Sequence, residues 1–233
     1  MKMVKTLFIA MMALISVGAS AQTVDEIVAK YVEVMGGKAK IATLKSVKMT
    51  GSMNSNGADV GITISKMQDV GMRVDVEVMG AANYQVVNNK SGWVYFPVMG
   101  MIEPKEMEGD QYKSGAAQMD VQGALFNYKE KGSVIEYLGK EMVNGAEAYK
   151  LKVTNKKGYA STHFIDIKSN RYVKSLSKMS ANGKEMEVET TFSDFKQNGD
   201  GYWFPYTVTN SQGTINFDKI ETNMALNESI FSN

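Results

Sequence analysis

Cysteine is absent from this sequence, and histidine and proline are rare, with one and three residues in a chain of 233. Without cysteine there can be no disulfide, no thiolate nucleophile and no cysteine-ligated metal. The fold must therefore be stabilised by packing alone. A balance of 26 Lys and Arg against 25 Asp and Glu gives no electrostatic basis for binding nucleic acid or an acidic membrane surface.

Long apolar runs and nucleotide-binding motifs are also missing. Only Leu7 to Val17 forms an apolar run, and it is shorter than the roughly 18 to 20 residues that span a bilayer. No Gly-x-x-x-x-Gly-Lys-Ser/Thr loop, Gly-x-Gly-x-x-Gly loop or Gly-x-Ser-x-Gly elbow occurs. We therefore expect no cofactor and no bound metal.

The start of the chain has the form of an export signal. Lys2 and Lys5 precede the apolar run, and Ala19-Ser20-Ala21 follows it as a small-residue cleavage pattern. We expect cleavage after Ala21 and a soluble protein outside the cytoplasm. Because the cleavage region has no cysteine for acylation, the mature protein should not be lipidated. Residues 22–233 fit a single domain.

Two helical patterns precede the first strand. Thr23 and Glu26 have the spacing of a capping box, and apolar residues then recur at helical intervals as far as Met35. Gly36-Gly37 can adopt the left-handed conformation that ends a helix. A shorter helical segment is predicted over Lys38 to Leu44.

From Ser46 onward the apolar residues alternate with polar ones, as they do in strands with one solvated face. Turn-forming pairs such as Asn144-Gly145 separate the segments. The pattern predicts eleven or twelve strands: Val47–Met53, Val60–Ile64, Met72–Val78, Tyr84–Asn88, Trp93–Pro97, Val134–Leu138, Ala148–Thr154, Ser161–Ile167, Tyr172–Met179, Glu185–Phe195, Tyr202–Thr209 and Thr214–Phe217. Between the two groups, Glu106 to Tyr128 lacks the alternation and predicts one or two short helices. So many antiparallel strands normally curl or split into layers.

Candidates for catalysis are few. A strand over Ser161 to Asp166 would place His163 on the face of Ile165 and leave Asp166 on the other, so a structural role is favoured over a catalytic one. The carboxylates at Asp75 and Glu77, and at Glu185, Glu187 and Glu189, alternate with apolar residues. That alternation is typical of a solvated face that pairs with lysines across strands, and it argues against glycoside hydrolysis or metal binding.

Methionine is the positive signal. The chain has 18, and many of those after residue 21 fall on the apolar side of predicted strands. A flexible, polarizable side chain suits a cavity for an irregular apolar guest such as an acyl chain, although on composition alone an ordinary core that uses methionine is the favoured explanation.

The order of the segments resembles one known family. The matching stretches are Met35-Gly36-Gly37, Leu44 to Val47, Gly92 to Tyr95, Tyr149 to Val153, Phe164 to Asp166, Phe195 through Gly201 to Pro205, and Asn223 to Phe231. In this order they resemble the outer-membrane lipoprotein-sorting (LolA-like) family over almost the whole mature chain.

This resemblance implies an α+β fold in which a strongly curved antiparallel sheet forms an open β-barrel covered by helices. It also implies a periplasmic carrier that works without chemistry. The ligand would be the acyl chains of lipoproteins or another lipid, the partners an inner-membrane donor and an outer-membrane acceptor, and the carrier itself a monomer. On this reading the apolar cavity is lined by Tyr31, Met49, Met53, Ile62, Ile64, Met72, Val74, Val76, Val78, Met119, Leu125 and Phe126.

One departure from the family pattern concerns the lid. The best-studied carriers have an arginine near the end of the second or third strand that helps to latch the helices. Here the corresponding stretch carries Lys66 and Gln68, and the nearest arginine, Arg73, alternates out of phase with the apolar residues. Two alternatives to a carrier stay open: an extracytoplasmic sensor or interaction module of the same fold, and a secreted hydrolase that would depend on His163.

Overall fold

The computed structural model describes residues 24–55, 58–78, 80–181 and 184–233. The predicted export signal over Met1 to Ala21 and the capping residue Thr23 lie outside the described residues. Within those residues the chain folds into one antiparallel sheet with three α-helices on one of its faces.

Thirteen strands of the described residues form this sheet. They are β1 Ser46–Ser55, β2 Ala58–Met67, β3 Gly71–Val78, β4 Ala81–Asn88, β5 Gly92–Tyr95, β6 Lys105–Glu106, β7 Val134–Val143, β8 Ala146–Thr154, β9 Ala160–Asp166, β10 Tyr172–Ala181, β11 Lys184–Gln197, β12 Trp203–Asn210 and β13 Gly213–Thr222. Their order is β6-β5-β4-β3-β2-β1-β13-β12-β11-β10-β9-β8-β7. The sheet thus consists of two meanders joined where β1 pairs with β13.

The helices are α1 over residues 24–34, α2 over Lys38–Ala42 and α3 over Gly109–Ala117. α1 ends as the sequence predicts: Gly36 and Gly37 have φ of 115° and 84°, and the Gly37 amide donates to the Val32 carbonyl at 2.9 Å. Short 3₁₀ turns lie at Pro97–Met99 and Glu228–Phe231.

Two sequence predictions need correction. The helical expectation for Glu106 to Tyr128 was right only for α3. Glu106 belongs to β6, and residues 118–133 form a succession of turns in which Gly123 and Asn127 have positive φ. β6 is the strand that the count of eleven or twelve missed, because its two residues are too few to show any alternation.

The sheet is strongly curved. α3 has nine residues and is therefore about 14 Å long, yet it contacts β10 as well as β3, β4 and β5. In a flat sheet the seven steps from β4 to β10 would span about 34 Å at the usual strand spacing. α3 can contact both β4 and β10 only because the sheet curls around it. The outer strands β6 and β7 do not pair with each other, so the barrel stays open.

One face of the sheet, which we call the inner face, packs against α1, α3 and residues 118–133. Val24, Ile27 and Val28 of α1 lie over Leu151 and Ile165 of the second meander. Tyr112 and Ala116 of α3 pack with the cluster formed by Met72, Val87, Val94, Met107 and Met119 in the first meander. A third cluster joins β1 to β12 and β13 through Val47, Phe204 and Ile220.

The outer face is covered near one edge by the end of the chain. Phe231, 2% exposed, packs so closely on Gly71 that an added Cβ there would lie 2.7 Å from the Cβ of Phe231. The Asn88 side chain donates to the Phe231 carbonyl at 2.8 Å, and the Arg73 guanidinium donates to the Ile230 carbonyl at 3.3 Å. These contacts fix the C-terminal residues across β3 and β4.

Candidate functional site

The eight strand residues of the predicted cavity share one side of the sheet. Residues directly opposite one another in antiparallel strands point to the same face, and the register pairs Met49 with Ile64 and Ile64 with Val74. Ile62 lies opposite Val76 in the same ladder. Alternation then places the remaining members on that face, which is the inner one: Met53, Met72 and Val78.

This apolar surface is only partly covered. Met72 is 1% exposed and Ile62 5%, so both belong to the core. The other six are half-buried although they lie on the inner face: Met49, Met53, Ile64, Val74, Val76 and Val78. The helices therefore do not fill the inner side of β1, β2 and β3, and an apolar surface stays accessible there.

The four predicted cavity residues that lie outside the strands, Tyr31, Met119, Leu125 and Phe126, are not all in one place. Met119 packs against Met72 and Val87, so it borders the apolar surface of β1 to β3. Tyr31 and Leu125 instead pack over β8 and β9, in the cluster that contains Leu151. Phe126, in the turns of residues 118–133, is 1% exposed. Burial, reinforced by the charge of Asp120, raises the pKa of Tyr31 to about 12, so this phenol is neutral at any physiological pH.

A groove of about 440 Å³ runs between α1 and residues 126–130. Its walls include Val28, Val32 and Phe126. At its rim Asp25 accepts from Lys129 Nζ and from Tyr128 Oη, both at 2.6 Å. Hydrogen bonds from these two groups lower the pKa of Asp25. The sequence pattern identified the apolar face of α1 but gave no sign that part of it stays uncovered.

No protein-family profile matches the chain, and no curated protein resembles it at the level of sequence. Solved structures do match over nearly its whole length. A LolA superfamily protein from Nitrosomonas europaea superposes with a TM-score of 0.55 at 13% identity, covering 90% of this chain and 97% of that one. The chain has a LolA-like fold. A domain described as an outer membrane lipoprotein-sorting protein from Vibrio parahaemolyticus gives 0.50 at 20% identity, covering 88% and 94%.

A third structure, a DUF1329 family protein from Desulfovibrio piger, gives a TM-score of 0.51 at 13% identity and covers 90% of this chain and 97% of its own. At such identities the likeness establishes the fold alone. It confirms the open, curved antiparallel sheet with helices that the resemblance implied.

We call residues 118–133 the turn segment, and α3 and the turn segment together the lid. In this LolA-like fold the stretch expected to hold the latch arginine contacts the turn segment through other side chains. Lys66 lies on the inner face, opposite Val47 and Met72. Burial lowers the pKa of Lys66, and the negative charge of Asp120 partly opposes that shift. Gln68 accepts a hydrogen bond from the Val121 amide at 3.0 Å. The turn segment is therefore joined to β2 and the residues that follow it by polar groups.

Within the turn segment itself, Asp120 organises the backbone. Lys131 Nζ donates to Asp120 Oδ2 at 2.6 Å and to the Gly123 carbonyl at 3.0 Å. The other carboxylate oxygen accepts from the Gln122 amide at 3.1 Å. Both charged side chains are about a quarter exposed. In residues 118–128 this network takes the place of the helical hydrogen bonds that the sequence pattern predicts.

Arg73 lies on the outer face, as its alternation predicts. Its Nε donates to Asp75 Oδ1 at 2.8 Å, and its guanidinium lies 4.5 Å from the centre of the Tyr84 ring. The C-terminal residues cover it in part, and it cannot reach the lid.

His163 is a buried structural residue. It is 8% exposed, its Nε2 lies 2.7 Å from Ser161 Oγ, and its ring stacks on Tyr172 with centroids 5.0 Å apart. Tyr172 stacks in turn on Phe192 at 4.6 Å. Burial lowers the pKa of His163 to about 4. Asp166 lies on the opposite face, so the Ser161–His163 pair does not extend to it to form a triad.

Glu187 and Glu189 of β11 lie on the outer face, in agreement with the solvated-face interpretation. Glu189 lies opposite Leu176, and its carboxylate accepts from Lys174 Nζ at 2.7 Å. Among the described residues, no group of three or more His, Cys, Asp or Glu could hold a metal ion. Within the same residues, no helix combines the length and the apolarity needed to cross a membrane.

Proposed function

We propose that this protein is a periplasmic carrier that shelters the acyl chains of lipoproteins, or of a related lipid, on the inner face of its sheet. The observation that carries the proposal is the uncovered apolar surface of β1 to β3. Six aliphatic or thioether side chains are half-buried there, on the face of the sheet against which α1 and α3 pack.

The chemistry of this surface suits an acyl chain. Exposing a methylene group to water costs about 0.8 kcal/mol, so a long acyl chain crosses an aqueous compartment only when it is sheltered. Met49 and Met53 can change rotamer to follow the chain, whereas Val74 and Val76 are stiff and define the wall. Along the inner face of β2 the residues Val60, Ile62 and Ile64 are uncharged, and the charged residue Lys66 follows near the C-terminal end of the strand.

The remaining parts of the proposal concern location and partners. The N-terminal pattern supports export, and the absence of a cysteine at the cleavage point supports an unlipidated, freely diffusing carrier, which we take to act as a monomer. Such a carrier would collect its ligand from an inner-membrane donor and deliver it to an outer-membrane acceptor.

The carrier would perform no reaction. A hydrolase would need a nucleophile and a base that reach the substrate, whereas His163 is stacked within the core and is neutral at physiological pH. An interaction module of the same fold would bind a protein segment instead of lipid, and the experiment below distinguishes the two.

The test is binding of a fluorescent fatty acid, below its micellar concentration, by the mature protein and two variants. Val76→Glu places a charge within the apolar surface and should weaken binding at least about tenfold. Ser52→Glu is the matched control: Ser52 lies on the outer face, opposite Gly61 and Asn216, and its replacement should leave affinity unchanged.

Folding of both variants is checked by circular dichroism. A folded Val76→Glu variant that binds as tightly as the wild type would show that the surface of β1 to β3 is not the site. A wild-type protein that binds no acyl ligand at all, and yields none in native mass spectrometry after purification from the periplasm, would favour the interaction module.

A further inference from the structure

The loop between β5 and β6 exposes aliphatic side chains that a folded domain would ordinarily bury. Ile102 is 93% exposed, Met99 77% and Val98 49%. We call these three residues the apolar tip. Isolated exposed apolar residues are common, but three within five positions form a patch of the kind that marks an interaction surface.

The loop that carries the apolar tip is well ordered. The amides of Met99 and Gly100 donate to the carbonyls of Phe96 and Pro97, both at 2.9 Å, and Gly100 closes the turn with φ of 81°. Phe96 and Met101 pack inward against the cluster of Met72 and Val87. The loop thus divides its apolar residues between the core and solvent, so the exposure of the tip does not result from a loose conformation.

A buried side chain fixes where the loop lies. Asn83, 1% exposed, accepts from the Val98 amide at 3.3 Å and donates to the carbonyls of Val76 and Ala81 at 3.1 and 2.9 Å. Because Ala81 lies opposite Val78, the loop is attached at the end of the sheet where β3 finishes.

The same end of the sheet carries the end of the proposed cavity. Met53, near the end of β1, lies opposite Val60 and Ile215 at this end, and Val78 is the last residue of β3. Both belong to the half-buried apolar surface. Acyl chains that enter at this end would therefore pass close to the apolar tip.

The composition of the tip favours a lipid bilayer over a protein partner. Protein interfaces concentrate their binding energy in Trp, Tyr and Arg, whereas valine is under-represented at such positions. The tip offers only aliphatic and thioether groups, which partition into the boundary between headgroups and acyl chains. The nearby charged residues are Glu103, Lys105 and Glu106, which carry no net positive charge, so we expect no attraction to anionic lipid.

We propose that the apolar tip inserts into the surface of a membrane and holds the adjacent end of the cavity against it during loading or delivery. The proposal rests on the carrier function proposed above. Insertion would let an acyl chain move between bilayer and cavity without exposure to water. It should occur on uncharged lipid and be insensitive to salt.

The experiment uses the mature protein and vesicles of phosphatidylcholine, with flotation to measure binding. In one variant Val98, Met99 and Ile102 are all replaced by serine. We expect its partition coefficient to fall by about tenfold for each substituted residue, the loss that follows when about two buried methylene equivalents are removed. A control variant, Leu138→Ser with Met142→Ser, alters exposed apolar residues of β7 that are 47% and 60% exposed and should bind as the wild type does.

Fatty-acid binding from aqueous solution separates this proposal from the carrier function. The tip variant should keep that binding while it transfers fluorescent lipid between vesicles more slowly. Equal flotation of wild type and tip variant would overturn the membrane proposal and leave the carrier function standing. Photocrosslinking from position 102 in the periplasm should label lipid; labelling of one protein only would also overturn the proposal and identify the tip as a protein-docking surface.

Discussion

The buried histidine makes the stability of this protein depend on pH in a defined way. His163 is the only histidine in the chain, and its burial lowers its pKa from 6.5 to about 4. The unfolded chain therefore binds a proton at a higher pH than the folded protein does. Between these two values protonation favours unfolding, so this histidine makes the protein less stable as the pH falls from about 6.5 to about 4.

The size of the effect follows from the two pKa values. Over the full window the shift corresponds to about 3 kcal/mol of unfolding free energy. Between pH 7.5 and pH 5 the linkage relation gives a loss of about 2 kcal/mol. Asp25 and Glu141 have lowered pKa values, so their contributions are lost at more acidic pH. The pKa of Lys66 is lowered in the same sense as that of His163, so the contribution of His163 is taken as the difference between the wild type and a variant without the imidazole.

The assay is urea unfolding, followed by circular dichroism at pH 7.5 and pH 5, of the wild type and of His163→Gln. Glutamine can hydrogen-bond to Ser161 but does not titrate. The variant is expected to be less stable than the wild type at pH 7.5, because the stack on Tyr172 is lost, and to lose about 2 kcal/mol less on acidification. Parallel losses in the two proteins would refute the reasoning, since the pH dependence would then come from other groups.

Two further substitutions test the packing of the C-terminal residues and of the lid. Gly71→Ala should destabilise the protein by about 1–3 kcal/mol in urea unfolding, because the new Cβ would lie 2.7 Å from Phe231 and 2.8 Å from the Val87 carbonyl; unchanged stability would show that Phe231 does not pack there. Asp120→Asn should cost about 1–3 kcal/mol and speed hydrogen exchange in residues 118–133, because Lys131 loses its carboxylate. Its control, Asp110→Asn, breaks an exposed pair with Lys113 and should cost less than about 0.5 kcal/mol; equal effects would refute a special role for Asp120.

The strands could be predicted from sequence because alternation is a local property. In β1 to β3 the apolar residues recur at every second position, so the set that shares a face can be read without knowledge of the pairing. The structure places all eight predicted strand residues of the cavity on one face. The pairing of strands across the sheet could not be predicted in this way. β1 pairs with β13 through residues as far apart in the sequence as Val47 and Thr222, and no local pattern encodes that pairing.

The lid could not be predicted for a related reason. Residues 118–133 contain apolar residues at spacings that suit a helix, but their conformation is set by Asp120, Lys131 and Gln68, whose partners lie elsewhere in the chain or across a turn. Leu125, which the resemblance assigns to a helix that covers the sheet, lies in a turn instead and packs over β8 and β9. The stack of His163 on Tyr172 also required the strand register, because the two residues lie on neighbouring strands.

The topology restricts how the lid can move. β6 and β7 are the two edges of the sheet, yet they are consecutive in the chain, so the segment between them has to cross the inner side of the open barrel. It is therefore fixed at both ends and cannot swing away as a free flap. α3 contacts β10 of the second meander as well as β3, β4 and β5 of the first. Its Tyr112 hydroxyl donates to the Asn88 carbonyl at 3.0 Å, and Ser114 Oγ lies 3.3 Å from Tyr159 Oη, so α3 is held on both sides of the open barrel. Access for the proposed ligand should accordingly come from small displacements of a segment that stays fixed at both ends.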